Sequence, residues 1–175
     1  MLLTERSVSR GDFVLASGKH SPYYIDARRT TMSAEGLAVV GHLGLGLLDQ
    51  RGWKPQMVGG LTLGADPVAC AIAVAGAWQG RAINAFTVRK EAKGHGTGRR
   101  IEGCFTLGAT VVIVEDVITT GGSARQAIQA VEAENGKILG VLAVVDREEG
   151  GREALEGAGY AVAAMTTATA LGLRP

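Results

Sequence analysis

Cysteine, proline, long apolar runs and a dominant sign of charge are what this sequence has little of. Its two thiols, Cys70 and Cys104, show neither a Cys-x-x-Cys spacing nor a second pair, which excludes a zinc site. Cys70 lies within an apolar helical run and is expected in the core. Only 4 prolines accompany 26 glycines, so the glycine excess signals tight turns and close backbone approaches rather than a low-complexity linker. With 18 Lys and Arg against 17 Asp and Glu, the formal charge of +1 gives no basic footprint for nucleic acid, and any affinity for anions must be local. The longest uncharged stretch, Gly157 to Leu173, is broken by Gly and Thr and falls short of a bilayer span, so no membrane segment is expected. Glu5 and Arg6 come too early for the apolar core of a signal peptide, which points to the cytoplasm. No internal repeat is evident. What is present is ordinary for a soluble globular chain, 46% hydrophobic and 20% charged residues, and 175 residues are most economically one domain with a sizeable core.

Along the chain, Leu2, Leu3 and Val8 suit a short first helix ended by Gly11. Phe13 to Ala16 and Tyr23 to Asp26, joined through Ser17-Gly18-Lys19, read as a small hairpin outside the main sheet. Ser33 is a good N-cap for a helix over Glu35 to Gln50, with Leu37, Val40, Leu43, Leu47 and Leu48 inward and Gly52 closing it. Met57 to Gly60 reads as a short buried strand, Leu61 to Pro67 as a glycine-containing turn, and Val68 to Trp78 as a helix. Strands follow over Arg81 to Val88, Thr110 to Val114, Ile138 to Val145 and Tyr160 to Met165. Helices over Ala124 to Glu134 and Arg152 to Gly157 separate the last three. Alternating strands and helices predict a parallel sheet covered by helices on both faces.

The stretch from Val111 to Ser123 carries the chemistry. Four β-branched apolar residues fit a strand buried on both faces. Glu115 and Asp116 then stand at its C-terminal end, followed by Val117, Ile118, Thr119, Thr120, Gly121, Gly122 and Ser123, with Gly122 or Ser123 near the N-cap of the next helix. Ligands of open α/β sheets bind outside the carboxyl ends of strands, and a glycine turn feeding a helix offers backbone N–H groups to an anion. Two carboxylates beside such a cradle would repel a bare phosphate but suit sugar hydroxyls and magnesium. The implied ligand is a phosphorylated sugar. Each feature alone is also ordinary turn chemistry; it is their order that argues for a site. Neither a Walker loop nor a dinucleotide fingerprint is present.

A second signal is Arg89 to Arg100, with three glycines, five Lys or Arg and no large apolar residue. It cannot pack into a core and reads as a mobile basic loop that closes over a diphosphate.

The Val111 to Ser123 stretch resembles the ribose-phosphate motif of the type I phosphoribosyltransferases. Arg89-Lys90-Glu91-Ala92-Lys93-Gly94-His95-Gly96 is similar to the catalytic loop of the orotate phosphoribosyltransferase family. Ser17-Gly18-Lys19-His20-Ser21-Pro22-Tyr23-Tyr24-Ile25-Asp26 resembles that family's base-pocket segment, and Asp146-Arg147-Glu148-Glu149 resembles its Asp-Arg segment, in which the Arg meets the carboxylate of orotate. The resemblance covers about Phe13 to Met165. It departs from some members at Ala16 and in Leu61-Thr62-Leu63-Gly64-Ala65-Asp66, where those members carry lysines.

The resemblance implies one domain over 1–175 with the type I fold: a mostly parallel sheet flanked by helices, a hood hairpin over about 1–30, a core over about 33–165 and a flexible catalytic loop over about 89–100. It implies transfer of a phosphoribosyl group from 5-phosphoribosyl 1-diphosphate to orotate, giving orotidine 5'-phosphate, with Mg2+ held mainly through the ligand and no direct protein metal site. Lys93 and Asp116 would be catalytic. Arg89, Lys90, Lys93, His95, Glu115, Asp116, Val117, Ile118, Thr119, Thr120, Gly121, Gly122 and Ser123 would bind the sugar diphosphate. Thr119, Arg147, Tyr24 and Lys19 would bind orotate. A homodimer with the loop reaching into the neighbouring site is implied, with no nucleic-acid or membrane partner. The ribose-phosphate motif does not choose the base, so a purine phosphoribosyltransferase is an alternative, as is a non-catalytic regulator that senses the sugar diphosphate.

Overall fold

The computed structural model describes residues 2–14, 18, 20–91 and 100–174. A short helix α1 (Leu2–Arg6) leads into an antiparallel hairpin, β1 (Val8–Val14) and β2 (His20–Ile25). Val8 is therefore the first residue of a strand and not part of the helix, and Gly11 lies inside that strand. Pairing of Val8, Ser9 and Arg10 with Ile25, Tyr24 and Tyr23 outweighs the local helical pattern.

After α2 (Arg28–Thr31) and α3 (Ala34–Gln50) come β3 (Met57–Leu61), α4 (Ala65–Trp78), β4 (Asn84–Val88), β5 (Ile101–Gly103), β6 (Thr110–Ile118), α5 (Gly122–Ala133), β7 (Lys137–Asp146), α6 (Gly151–Glu156) and β8 (Val162–Thr167). Their six-stranded sheet has the order β5-β4-β3-β6-β7-β8 and is parallel except for the edge strand β5, which the sequence pattern had not suggested. The order reverses between β3 and β6: the chain leaves β3 toward β4 but leaves β6 toward β7. That makes a crevice beyond their C-terminal ends, the usual ligand position in open α/β sheets.

Alternation along the central strand assigns the two faces. Val112 and Val114 pack with Val40, Leu48, Val68 and Ile72 of α3 and α4. Val111 and Ile113 pack with Ile128 and Val131 of α5 and with Leu155 of α6. Helices thus cover both faces, as the alternating pattern predicted. Ser33 caps α3 by accepting a hydrogen bond from the Gly36 N–H at 3.1 Å.

Two expectations about burial fail. Leu43 is 46% exposed while Leu45 is buried, and Cys70 is exposed on the face of α4 that also carries Val74 and Trp78. Both helices are apolar on more than one face, so periodicity finds the helix without choosing its buried side.

A packing prediction arises on β7. A Cβ at Gly140 would lie 2.2 Å from the Trp53 ring, closer than real contacts allow. Gly140→Ala is expected to destabilise the chain by about 1–3 kcal/mol, seen as a lower urea midpoint with an unchanged m value.

Candidate active site

The crevice between β3 and β6 is an open cleft of about 860 Å³. Among the described residues three segments form most of its wall, with Lys90 after β4 beside them. The first is β6 and the turn after it. The strand runs on past Val114 to Ile118, because Glu115, Val117 and Ile118 pair with Ala143, Val145 and Asp146 of β7. Glu115 and Asp116 therefore sit within the strand and not beyond it, a correction that fixes them on a rigid element. Gly121, in the left-handed conformation at φ +77°, is the N-cap of α5, one residue before the expected caps Gly122 and Ser123. That turn lets the chain double back from strand to helix.

The two acids have different surroundings. Glu115 is buried at 5% exposure, and its Oε1 has no hydrogen-bond partner. Burial, and secondarily the neighbouring Asp116 charge, push its carboxyl up to about 8. Asp116 accepts a hydrogen bond from the Val117 N–H at 2.8 Å, yet burial still holds its pKa above the ordinary carboxylate range.

Glu115 gives a pH signature. Its folded-state pKa of about 8 stands above the ordinary 4.5. Between those values the folded chain keeps a proton that the unfolded chain has released, so this group's contribution makes stability fall as pH rises through the window. Glu115→Gln removes that contribution. Urea unfolding near pH 5 and near pH 8 is expected to show the variant gaining on the parent at the higher pH, by on the order of 1 kcal/mol or more.

The second wall is the loop after β3. Here Leu61 ends the strand, and Thr62, Leu63 and Gly64 line the cleft before α4 begins at Ala65, earlier than the expected helix start at Val68. Asp66 pins this loop. Its two carboxylate oxygens accept hydrogen bonds from the Thr62 and Thr87 hydroxyls, both at 2.8 Å, while the Thr62 N–H donates to the Val88 carbonyl at 2.9 Å. Gly64 leaves room for Asp116: a Cβ there would lie 2.4 Å from its carboxylate.

The third wall comes from the end of β2 with the start of α2 and from the segment that follows β7. Tyr24, Asp26 and Arg28 line the cleft from one side, Arg147 and Glu149 from the other. Arg28 donates to Asp26 at 2.8 Å and lowers its pKa. Arg147, only 4% exposed, lies with its guanidinium carbon 4.8 Å from the Tyr23 ring centroid.

Of the residues singled out in the sequence, Tyr24, Lys90, Glu115, Asp116, Val117, Thr119, Thr120, Ser123 and Arg147 line this cleft. Ile118, Gly121 and Gly122 line an adjoining hollow of about 220 Å³ that Thr119, Thr120 and Ser123 also border. Arg89 is not in either lining; it pairs with Glu102 at 3.8 Å. Lys19, Lys93 and His95, with most of the expected lid, lie outside the described residues. Arg28 and the lining by residues 61–64 were missed, and Glu149 was quoted beside Arg147 without a role. Asp26 was quoted in a motif without a role, although an acid directly after a strand was the signal already used for Asp116.

A phosphoribosyl transferase domain model matches residues 105–158, which span β6, α5, β7 and α6. The orotate phosphoribosyltransferase of Rhodopirellula baltica is 42% identical over 99% of this chain and 92% of its own length. That of Aquifex aeolicus is 46% identical over 89% and 85%. The structure of Mycobacterium tuberculosis orotate phosphoribosyltransferase in complex with 5-phospho-α-D-ribosyl 1-diphosphate superposes with a TM-score of 0.83 at 42% identity, covering 98% of this chain and 95% of that one. Likeness at this level, extending over nearly all of both chains and including the cleft walls, establishes that the chain belongs to the orotate phosphoribosyltransferase family.

Proposed function

We infer that the chain transfers the 5-phosphoribosyl group from 5-phosphoribosyl 1-diphosphate to N1 of orotate, forming orotidine 5'-phosphate and diphosphate in pyrimidine biosynthesis. The observation that carries this reading is a single cleft in which an acid pair and a hydroxyl-rich glycine turn face a buried arginine. In this reading residues 1–175 form one domain, the hood over about 1–30 closing on the core over about 33–165.

The ribose carbon becomes cation-like as the diphosphate departs, so the task is preorganised charge and not a nucleophile. Asp116, beside the ribose, stabilises that positive charge, and Glu115 and Asp116 accept hydrogen bonds from the 2'- and 3'-hydroxyls. Binding would give the orphaned Glu115 oxygen a partner. Residues Val117 to Ser123 bind the 5'-phosphate through backbone N–H groups and the hydroxyls of Thr119, Thr120 and Ser123. Arg89, Lys90, Lys93 and His95 hold the diphosphate, a role resting on the resemblance of the loop. Thr119, Arg147, Tyr24 and Lys19 receive orotate, whose carboxylate calls for a cation such as Arg147. N1 of orotate is already acidic, so no strong base is required.

The donor chemistry fits Mg2+ carried by the ligand. Asp26, Glu115 and Asp116 supply hard oxygens to the cleft. When bound, the ion would neutralise charge on the leaving diphosphate.

A homodimer sharing its loops belongs to the same reading. In its support, α3 and α4 pack together and leave Val39, Leu43, Val74 and Trp78 exposed, Trp78 by 81%. A cytoplasmic setting is also part of the proposal; among the described residues no helix is long and apolar enough to cross a membrane. The test is product formation with orotate, uracil, adenine and hypoxanthine in turn. Turnover with orotate alone is the expected result, and turnover with a purine but not with orotate would overturn the assignment.

A further inference from the structure

Three acids stand within two positions of Arg147 in the chain, and two are committed elsewhere. The Asp146 carboxylate accepts from Arg152 Nε at 2.7 Å and from the Glu148 N–H at 2.8 Å. The Glu148 carboxylate accepts from the Thr169 N–H at 2.7 Å. Glu149 alone turns to Arg147, with its Oε1 2.7 Å from Nη2. The same Nη2 reaches the Ser21 hydroxyl at 3.4 Å, while the buried Nε has no hydrogen-bond partner. Arg147 and Glu149 both line the cleft, but Arg147 keeps only 4% exposure against 25% for the Glu149 side chain. An incoming carboxylate thus meets an arginine whose accessible edge already bears one.

We propose that Glu149 is a specificity-determining residue: its carboxylate occupies Arg147 in the free protein and is exchanged for the carboxylate of the acidic substrate. The proposal rests on the reading that Arg147 receives that carboxylate. A buried guanidinium stripped of its partner is costly, so the free site needs a resident anion. Glu149 suits the exchange because it is partly exposed, followed by Gly150 and Gly151, and able to turn into water. Exchange also explains selectivity. An acidic base displaces Glu149 and leaves Arg147 paired; a neutral base that displaces it leaves Arg147 alone, and one that does not finds the site filled.

Steady-state kinetics on Glu149→Gln test this, with thermal unfolding to confirm a folded variant. The amide keeps the shape but competes weakly for Arg147. The KM for orotate is expected to fall about 3- to 10-fold, a gain of the size of one partly buried ion pair. The KM for the sugar diphosphate should stay within a factor of about two, and uracil should gain nothing. Glu149→Asp, which keeps the charge on a shorter stem, should give an intermediate orotate KM. An orotate KM that rises or stays fixed in Glu149→Gln would overturn the exchange, a rise meaning that Glu149 holds Arg147 in place for the substrate. Arg147→Ala separates the two levels: an unchanged orotate KM there would remove the underlying reading. A raised KM there with no fall in Glu149→Gln would remove the exchange alone.

Discussion

Replacing Arg147 with alanine is expected to raise the KM for orotate by roughly 10- to 100-fold, the worth of a charge-assisted hydrogen bond to a carboxylate. The KM for 5-phosphoribosyl 1-diphosphate should change little, because the sugar-phosphate wall on β6 and α5 does not depend on Arg147. The effect should be one of recognition more than of folding. Glu149, left without its partner, is 25% exposed and turns to solvent, while Tyr23 loses only a stacked cation. Steady-state kinetics with each substrate varied in turn make the check; equal losses for both substrates would place Arg147 outside the base site.

The largest loss of turnover is expected from Asp116→Asn. The amide matches the carboxylate in size and still fits against Gly64, but it brings no negative charge to the cation-like ribose. By analogy with removal of one preorganised electrostatic group, kcat should fall about 10²- to 10³-fold. Binding of the sugar diphosphate, measured by calorimetry, should weaken much less, since an amide oxygen still accepts from a hydroxyl. Gly64→Ala supports the same point from the other side. Its new Cβ would fall 2.4 Å from an Asp116 oxygen and turn the carboxylate aside, lowering turnover in a chain that still folds.

The parallel sheet, its two helical faces and the β6–α5 turn were all legible in the sequence. A buried strand, an acid pair, a glycine turn and a helix are consecutive in the chain, and each residue type is demanded by what it does. The end of β6 was less legible. Whether Glu115 to Ile118 continue the strand is decided by pairing with β7, which no local propensity reveals. The wall made by residues 61–64 was hidden for a different reason. Its contribution comes from a loop that Asp66 ties to Thr62 and Thr87, residues 4 and 21 positions away. Arg28 and Glu149 were given no role because each is a single charge outside a strand, ordinary on any surface, and acquires meaning only where the segments after β2 and β7 line one cleft. Cys70 and Leu43 show the converse: apolar helical positions that the sheet never reaches.

The central claim is that one cleft holds both the sugar diphosphate and an acidic pyrimidine and joins them. The most direct measurement follows orotate, orotidine 5'-phosphate and diphosphate together after the protein is mixed with orotate, 5-phosphoribosyl 1-diphosphate and magnesium. Orotate consumed, nucleotide formed and diphosphate released in equal amounts is the expected result. Diphosphate released with no loss of orotate would contradict the account.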